Sequence, residues 1–121
     1  MQLKTSRKSA FTLVEIMIVV AIIGLLAAIA IPNFIKAREI SQRNACIANL
    51  KQIDGAKNTW ALETKKVNGD PCVDADLYGP TLYIRSTPAC PANGTYAIGN
   101  VGITVPTCTL SAAPNLHLLP P

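Results

Sequence analysis

Between Phe11 and Ile31 the chain reads FTLVEIMIVVAIIGLLAAIAI, and only Thr12 and Glu15 in that run are appreciably polar. Roughly 20 apolar residues of helix span the hydrocarbon core of a bilayer, and this run supplies them. In a chain of 121 residues, so large an apolar commitment leaves material for one small domain and little core. Pro32 closes the run. Lys4, Arg7 and Lys8 precede it with no acid among the first ten residues, and flanking cations stay on the cytoplasmic side. The expected topology is a single pass with the N-terminus inside. Everything after about residue 32 then lies across a bacterial inner membrane, in the oxidising periplasm or beyond.

The formal charge of +4 comes largely from Lys4, Arg7 and Lys8, and the rest of the chain is nearly neutral. Bulk charge therefore does not support a nucleic-acid surface, because a basic stripe or face is what such binding needs. Lys65 and Lys66 could touch DNA, yet two cations at a helix C-terminus are favourable there without any ligand. Catalysis is not expected either. His117 is the only histidine and stands near the C-terminus with no nucleophile or metal-ligand motif beside it, so it reads as a surface or edge residue.

Glu15 is the anomaly in the apolar run. An acid at mid-membrane costs about 2.5–3.5 kcal/mol on translocon scales, which makes an intramembrane carboxylate functional by default. A conventional secretory signal is one reading of the segment, with Ala28 and Ala30 forming an A-x-A cleavage site. The length of the run, its interruption by Glu15 and the position of Pro32 oppose it. The dipole at a helix N-terminus offsets part of the cost, and a cation from a neighbouring chain would offset more. A cut between Ala10 and Phe11 would create such a cation at the new amine of Phe11.

The stretch SAFTLVEIMIVVAIIGLLAAIAIPNF resembles the N-terminus of type IV prepilins and type II secretion pseudopilins. The resemblance implies a leader, residues 1–10, removed by prepilin peptidase between Ala10 and Phe11. The same enzyme would N-methylate Phe11. It further implies that Glu15 engages the amine of an adjacent subunit during assembly, and that Gly24 and Pro32 bend or unwind the helix to suit filament packing. Ala10 departs from the family's usual Gly, although both are small. A looser resemblance, to pilin-like proteins with a short cysteine-bounded C-terminal region, covers the segments ACIANLKQIDGAKNTWALETKK and CPANGTYAIGNVGITVPTC.

Beyond Pro32, Ile40, Ile47, Leu50, Ile53, Ala56 and Trp60 recur at helical spacing, with Arg43, Asn44, Lys51, Gln52, Lys57 and Asn58 on other faces. The helix is expected to continue to about Val67, where NGDP stops it. Tyr96, Ile98 and Val101, set among Gly94, Gly99 and Gly102, predict short strands joined by turns. This C-terminal piece must pack on Leu50, Ile53 and Trp60, because alone it cannot bury enough apolar area. Trp60, Tyr78 and Tyr83 read as packing residues.

Cys46, Cys72, Cys90 and Cys108 form an even set in an oxidising compartment, which allows three complete disulfide pairings. Cys90 with Cys108 would close the hairpin-like region and contribute about 3 kcal/mol, leaving Cys46 with Cys72. A buried free thiol at Cys46 is the competing reading. Zinc is disfavoured by the absence of C-x-x-C and by the long intervals. Asp70, Asp74 and Asp76 are weak calcium candidates without EF-hand spacing and read better as a solvated loop. Asn-Gly-Thr at 93–95 fits a turn better than a glycosylation acceptor.

The expected fold is α+β: residues 1–10 a basic leader, 11–31 a membrane-spanning and filament-core helix, 32–67 an amphipathic helix, and 68–121 a small disulfide-linked head with strands. The function implied is a structural subunit of a type II secretion pseudopilus or a type IV pilus-like filament. Its partners would be prepilin peptidase, copies of itself and other pilin-like subunits, an inner-membrane assembly platform and lipid. No cofactor is expected beyond the calcium candidates. A minor pilin binding DNA or a surface, and a monomeric membrane-anchored periplasmic protein, are the alternatives.

Overall fold

A computed structural model describes residues 9–112 and 116–121. Lys4, Arg7, Lys8 and all of the leader before Ser9 lie outside the described residues. The fold is α+β. Helix α1 spans Leu13–Glu63, helix α2 spans Asp74–Leu77, and strands β1 (Tyr96–Ala97) and β2 (Thr107–Cys108) follow. The chain divides into two compact units, Met1–Ala37 and Arg38–Pro121, so the C-terminal unit takes in the second half of α1.

In the N-terminal unit α1 runs through Gly24 and Pro32 as continuous helix. Pro32 has no N–H to give the carbonyl of Ala28, so one ladder bond is absent there. The apolar residues are bare. Ile16, Val20, Ile23, Leu26 and Ile29 are each at least half exposed, and the apolar window of the helix contributes nothing to any core. Among the described residues, this helix is the one long and apolar enough to cross a membrane.

In the C-terminal unit, one face of α1 carries the core. Cys46, Leu50, Ile53, Lys57 and Trp60 are buried, and they alternate in steps of four and three, a seam repeating every 3.5 residues. Leu50, Ile53 and Trp60 lie on the face expected from the periodicity. Ile40 does not, being 43% exposed. Lys57, expected on a polar face, is buried on the apolar one. Its ammonium donates to the carbonyls of Thr104 at 2.5 Å, Ile98 at 3.3 Å and Asn100 at 3.5 Å, and lies 3.7 Å from Asp54. Backbone carbonyls of a tight loop thus replace its hydration, which is what permits a cation in a core.

The helix ends four residues before the expected Val67. Lys65 takes a left-handed φ of 55°, and the N–H of Lys66 bonds the carbonyl of Ala61 at 2.8 Å. That six-to-one bond is the signature of a Schellman C-cap, with Lys65 where glycine is usual. The Lys66 ammonium then sits 5.6 Å from the ring centre of Trp60, within cation–π range.

Two buried clusters cover the seam. Ile53, Trp60, Ala61, Cys72, Leu77, Ile84, Ile98 and Val101 form one, with Tyr78 and Tyr83 packed at its edge. Cys46, Leu50, Cys90 and Cys108 form the other. Full burial of each Leu, Ile or Val contributes about 1.5–3 kcal/mol, enough for a small unit that gathers most of its apolar side chains against one helix. Strands β1 and β2 pair antiparallel with Tyr96 opposite Cys108. Ile98 and Val101, expected on strands, are buried from loops instead.

Candidate functional site

Two groups of chemistry-bearing side chains stand out, one at the start of α1 and one in the C-terminal unit. At the start, Thr12 is the N-cap and Glu15 the third helical residue. The backbone N–H of Glu15 donates to Thr12 Oγ1 at 3.2 Å, while the backbone N–H of Thr12 donates to Glu15 Oε2 at 2.7 Å. The Thr12 hydroxyl also donates to Oε2 at 3.0 Å. This is a capping box, which satisfies two of the donors a helix N-terminus leaves without partners. Thr-x-x-Glu before an apolar run announces it in the sequence, and reasoning from membrane cost alone missed Thr12.

The box occupies Oε2 of Glu15 from within its own chain and places the carboxylate at the positive end of the helix dipole, where negative charge is favoured. Among the described residues, Oε1 has no hydrogen-bond partner. Ala10 and Phe11 precede the helix and are exposed, Phe11 at 82%, so a protease could reach the bond between them. Gly24 is equally open. A methyl group added there would meet nothing within 4 Å, so its small size serves no contact in the lone chain.

The second group revises the reading of the cysteines. Cys46 on α1, Cys90 in the CPANG turn, Cys108 on β2 and His117 near the C-terminus bring three sulfurs and a ring nitrogen within 4.8 Å of one another. His117 is buried, not a surface residue, and its Nδ1 lies 3.6 Å from Cys90 Sγ. Cys72 stays out of the group. It packs with Ile53, Trp60 and Leu77 in the other cluster, so Cys46 and Cys72, the pair left by elimination, are not brought together. Cys46 lies one heptad of α1 before Ile53, which belongs to the cluster that holds Cys72, and it packs in the other cluster with Cys90 and Cys108. All four thiols are free.

Electrostatics differ sharply between these sulfurs. Burial pushes the Cys46 thiol up to about 12. Burial also raises Cys90, but N–H groups of Ala92 and Gly94 and the neighbouring thiols outweigh it and hold Cys90 below the ordinary range. Burial raises Cys72, with Asp76 adding to it. Asp70 accepts the Val67 N–H and Asp76 the Val73 N–H, each at 3.0 Å. With Asp74 exposed, these carboxylates serve their own turns. Asn93 sits at φ 63° and donates its N–H to the Cys90 carbonyl at 3.0 Å, the turn expected of Asn-Gly.

Comparison with known proteins bears on the first group. The family described as "Prokaryotic N-terminal methylation motif" matches residues 5–31. The type IV major pilin protein PilA of Myxococcus xanthus is 53% identical over 57 residues, which is 47% of this chain and 26% of that pilin. The type II secretion system core protein G of Escherichia coli is 28% identical over 92% of this chain and 85% of its own length. The type IV major fimbrial protein FimA of Dichelobacter nodosus is 36% identical over 83% of this chain and 62% of that protein. The chain thus spans about a quarter of the Myxococcus pilin and most of the secretion protein. No solved structure matches it. A methylation motif laid on the exposed apolar helix, together with similarity to the secretion protein over 92% of the chain, supports a type IV pilin and type II secretion pseudopilin family.

Proposed function

We propose that this chain is a filament subunit held in the bacterial inner membrane by residues 11–31 and assembled through them. In this reading prepilin peptidase cuts between Ala10 and Phe11 and N-methylates Phe11. The carboxylate of Glu15, still capping its own helix through Oε2, then takes the Phe11 amine of a neighbour. The observation that carries the proposal is a helix whose apolar half is bare, the one acid of that half, Glu15, sitting in a capping box at the helix start. Exposed hydrocarbon of that extent needs lipid before assembly and other subunits after it. Charge pairing at Glu15 would select the register in which the helices pack, since a mispaired acid in an apolar filament core is penalised.

Of the two filament types we favour a secretion pseudopilus, because the chain covers 85% of the Escherichia coli secretion protein against 62% of the Dichelobacter fimbrial protein and 26% of the Myxococcus pilin. The assembly platform and the other pilin-like subunits are proposed as partners on the same ground. The test is Glu15→Ala in cells carrying the assembly machinery. Normal membrane insertion with filament yield reduced at least tenfold is expected; undiminished yield would remove Glu15 from assembly.

A further inference from the structure

From the second group of side chains we infer that the C-terminal unit holds a structural zinc ion on Cys46, Cys90, Cys108 and His117. Three thiols and an imidazole are a complete ligand set for tetrahedral zinc. With Zn–S about 2.3 Å and Zn–N about 2.0 Å, ligand atoms on one tetrahedral ion stand roughly 3.5–3.8 Å apart. The Cys90 Sγ to His117 Nδ1 separation of 3.6 Å falls on such an edge, and all four atoms lie within 4.8 Å of one another. Small adjustments bring the set onto one ion.

The surroundings suit thiolates. N–H groups of Ala92 and Gly94 face the Cys90 sulfur. The Tyr96 hydroxyl is within hydrogen-bonding reach of Cys46, and its oxygen accepts from Asn49 Nδ2 at 3.0 Å, which leaves its O–H free to donate to sulfur. Asn49 also fixes the loop leading to Cys90 through the Ala89 carbonyl at 3.1 Å. Such outer donors orient ligands and spread the charge of a three-thiolate site. Gly94 is small for the same reason, since a methyl group there would lie 2.5 Å from Cys108 Sγ and 3.3 Å from Cys90 Sγ.

A disulfide accounts for less of this arrangement. Joining Cys90 to Cys108 would leave a buried thiol and a buried imidazole side by side with nothing to bind. Zinc uses all four groups and ties the helix, the CPANG turn, β2 and the C-terminal segment together. Binding sends the three thiol protons to solvent and changes no oxidation state.

The test uses the full chain, purified in detergent without chelator. Elemental analysis is expected to find about one zinc per chain. Cys46→Ser, Cys108→Ser and His117→Ala should lose it, while Cys72→Ser keeps it. His117→Cys, which restores a fourth ligand, should retain metal and so separates ligation from misfolding. Cobalt(II) added to the metal-stripped chain should give the visible absorption of a tetrahedral thiolate site. Alkylation after unfolding should label all four cysteines. A Cys90–Cys108 disulfide in metal-free protein, or zinc content unchanged by Cys46→Ser and His117→Ala, would overturn the inference.

Discussion

Thr12 and Glu15 cap each other: the Thr12 N–H donates to Glu15 Oε2 at 2.7 Å, and the Glu15 N–H donates to Thr12 Oγ1 at 3.2 Å. A carboxylate in an apolar segment thereby has partners before any neighbour arrives. Thr12→Ala should weaken the helix start by about 0.5–2 kcal/mol and lower filament yield less than Glu15→Ala does, while Thr12→Ser restores it. Yield scored by shearing and immunoblotting decides the order. A Thr12→Ala defect equal to that of Glu15→Ala would mean that capping, rather than pairing between subunits, is what Glu15 supplies.

Lys57 holds three loop carbonyls from beneath. Lys57→Ala would leave the buried Ile98 carbonyl, and the part-buried carbonyls of Asn100 and Thr104, without their donor, at about 1–3 kcal/mol for a buried unsatisfied group. Loss of roughly 3 kcal/mol from the C-terminal unit is expected in urea unfolding followed by Trp60 fluorescence. A loss below 1 kcal/mol would show that water reaches the loop.

Lys65 occupies the left-handed position of the helix C-cap at φ 55°. Glycine meets no Cβ clash there, so Lys65→Gly should raise stability by up to about 1 kcal/mol. The same unfolding assay reads it, and a destabilisation would contradict the cap assignment.

Two other glycine positions should respond in opposite directions. A methyl at Gly55 meets nothing within 4 Å, so Gly55→Ala should stabilise the helix by about 0.5–1 kcal/mol. Gly94→Ala drives a methyl into the Cys108 and Cys90 sulfurs and should destabilise the unit instead. Thermal melts of the two variants in parallel would expose an error in either assignment.

The apolar helix, the seam residues Leu50, Ile53 and Trp60, and the turn at Asn93 were legible because periodicity and turn chemistry are local. Lys57 was not. A lysine reads as solvent-facing until the loop carbonyls that receive it are known, and those lie more than 40 residues away. His117 and the cysteines escaped for a related reason: their ligand geometry is assembled from a helix, a turn, a strand and the C-terminal segment, with no short-range spacing to mark it. The helix end was overshot because Gly69 and Pro71 looked like the stop, whereas Lys65 accepted the left-handed conformation first.

The measurement that bears most directly on the proposed function is the mass of the N-terminal peptide, taken from cells with active prepilin peptidase. A chain starting at Phe11 and carrying one added methyl on its amine is expected. Retention of residues 1–10, or a new start near Pro32, would contradict it.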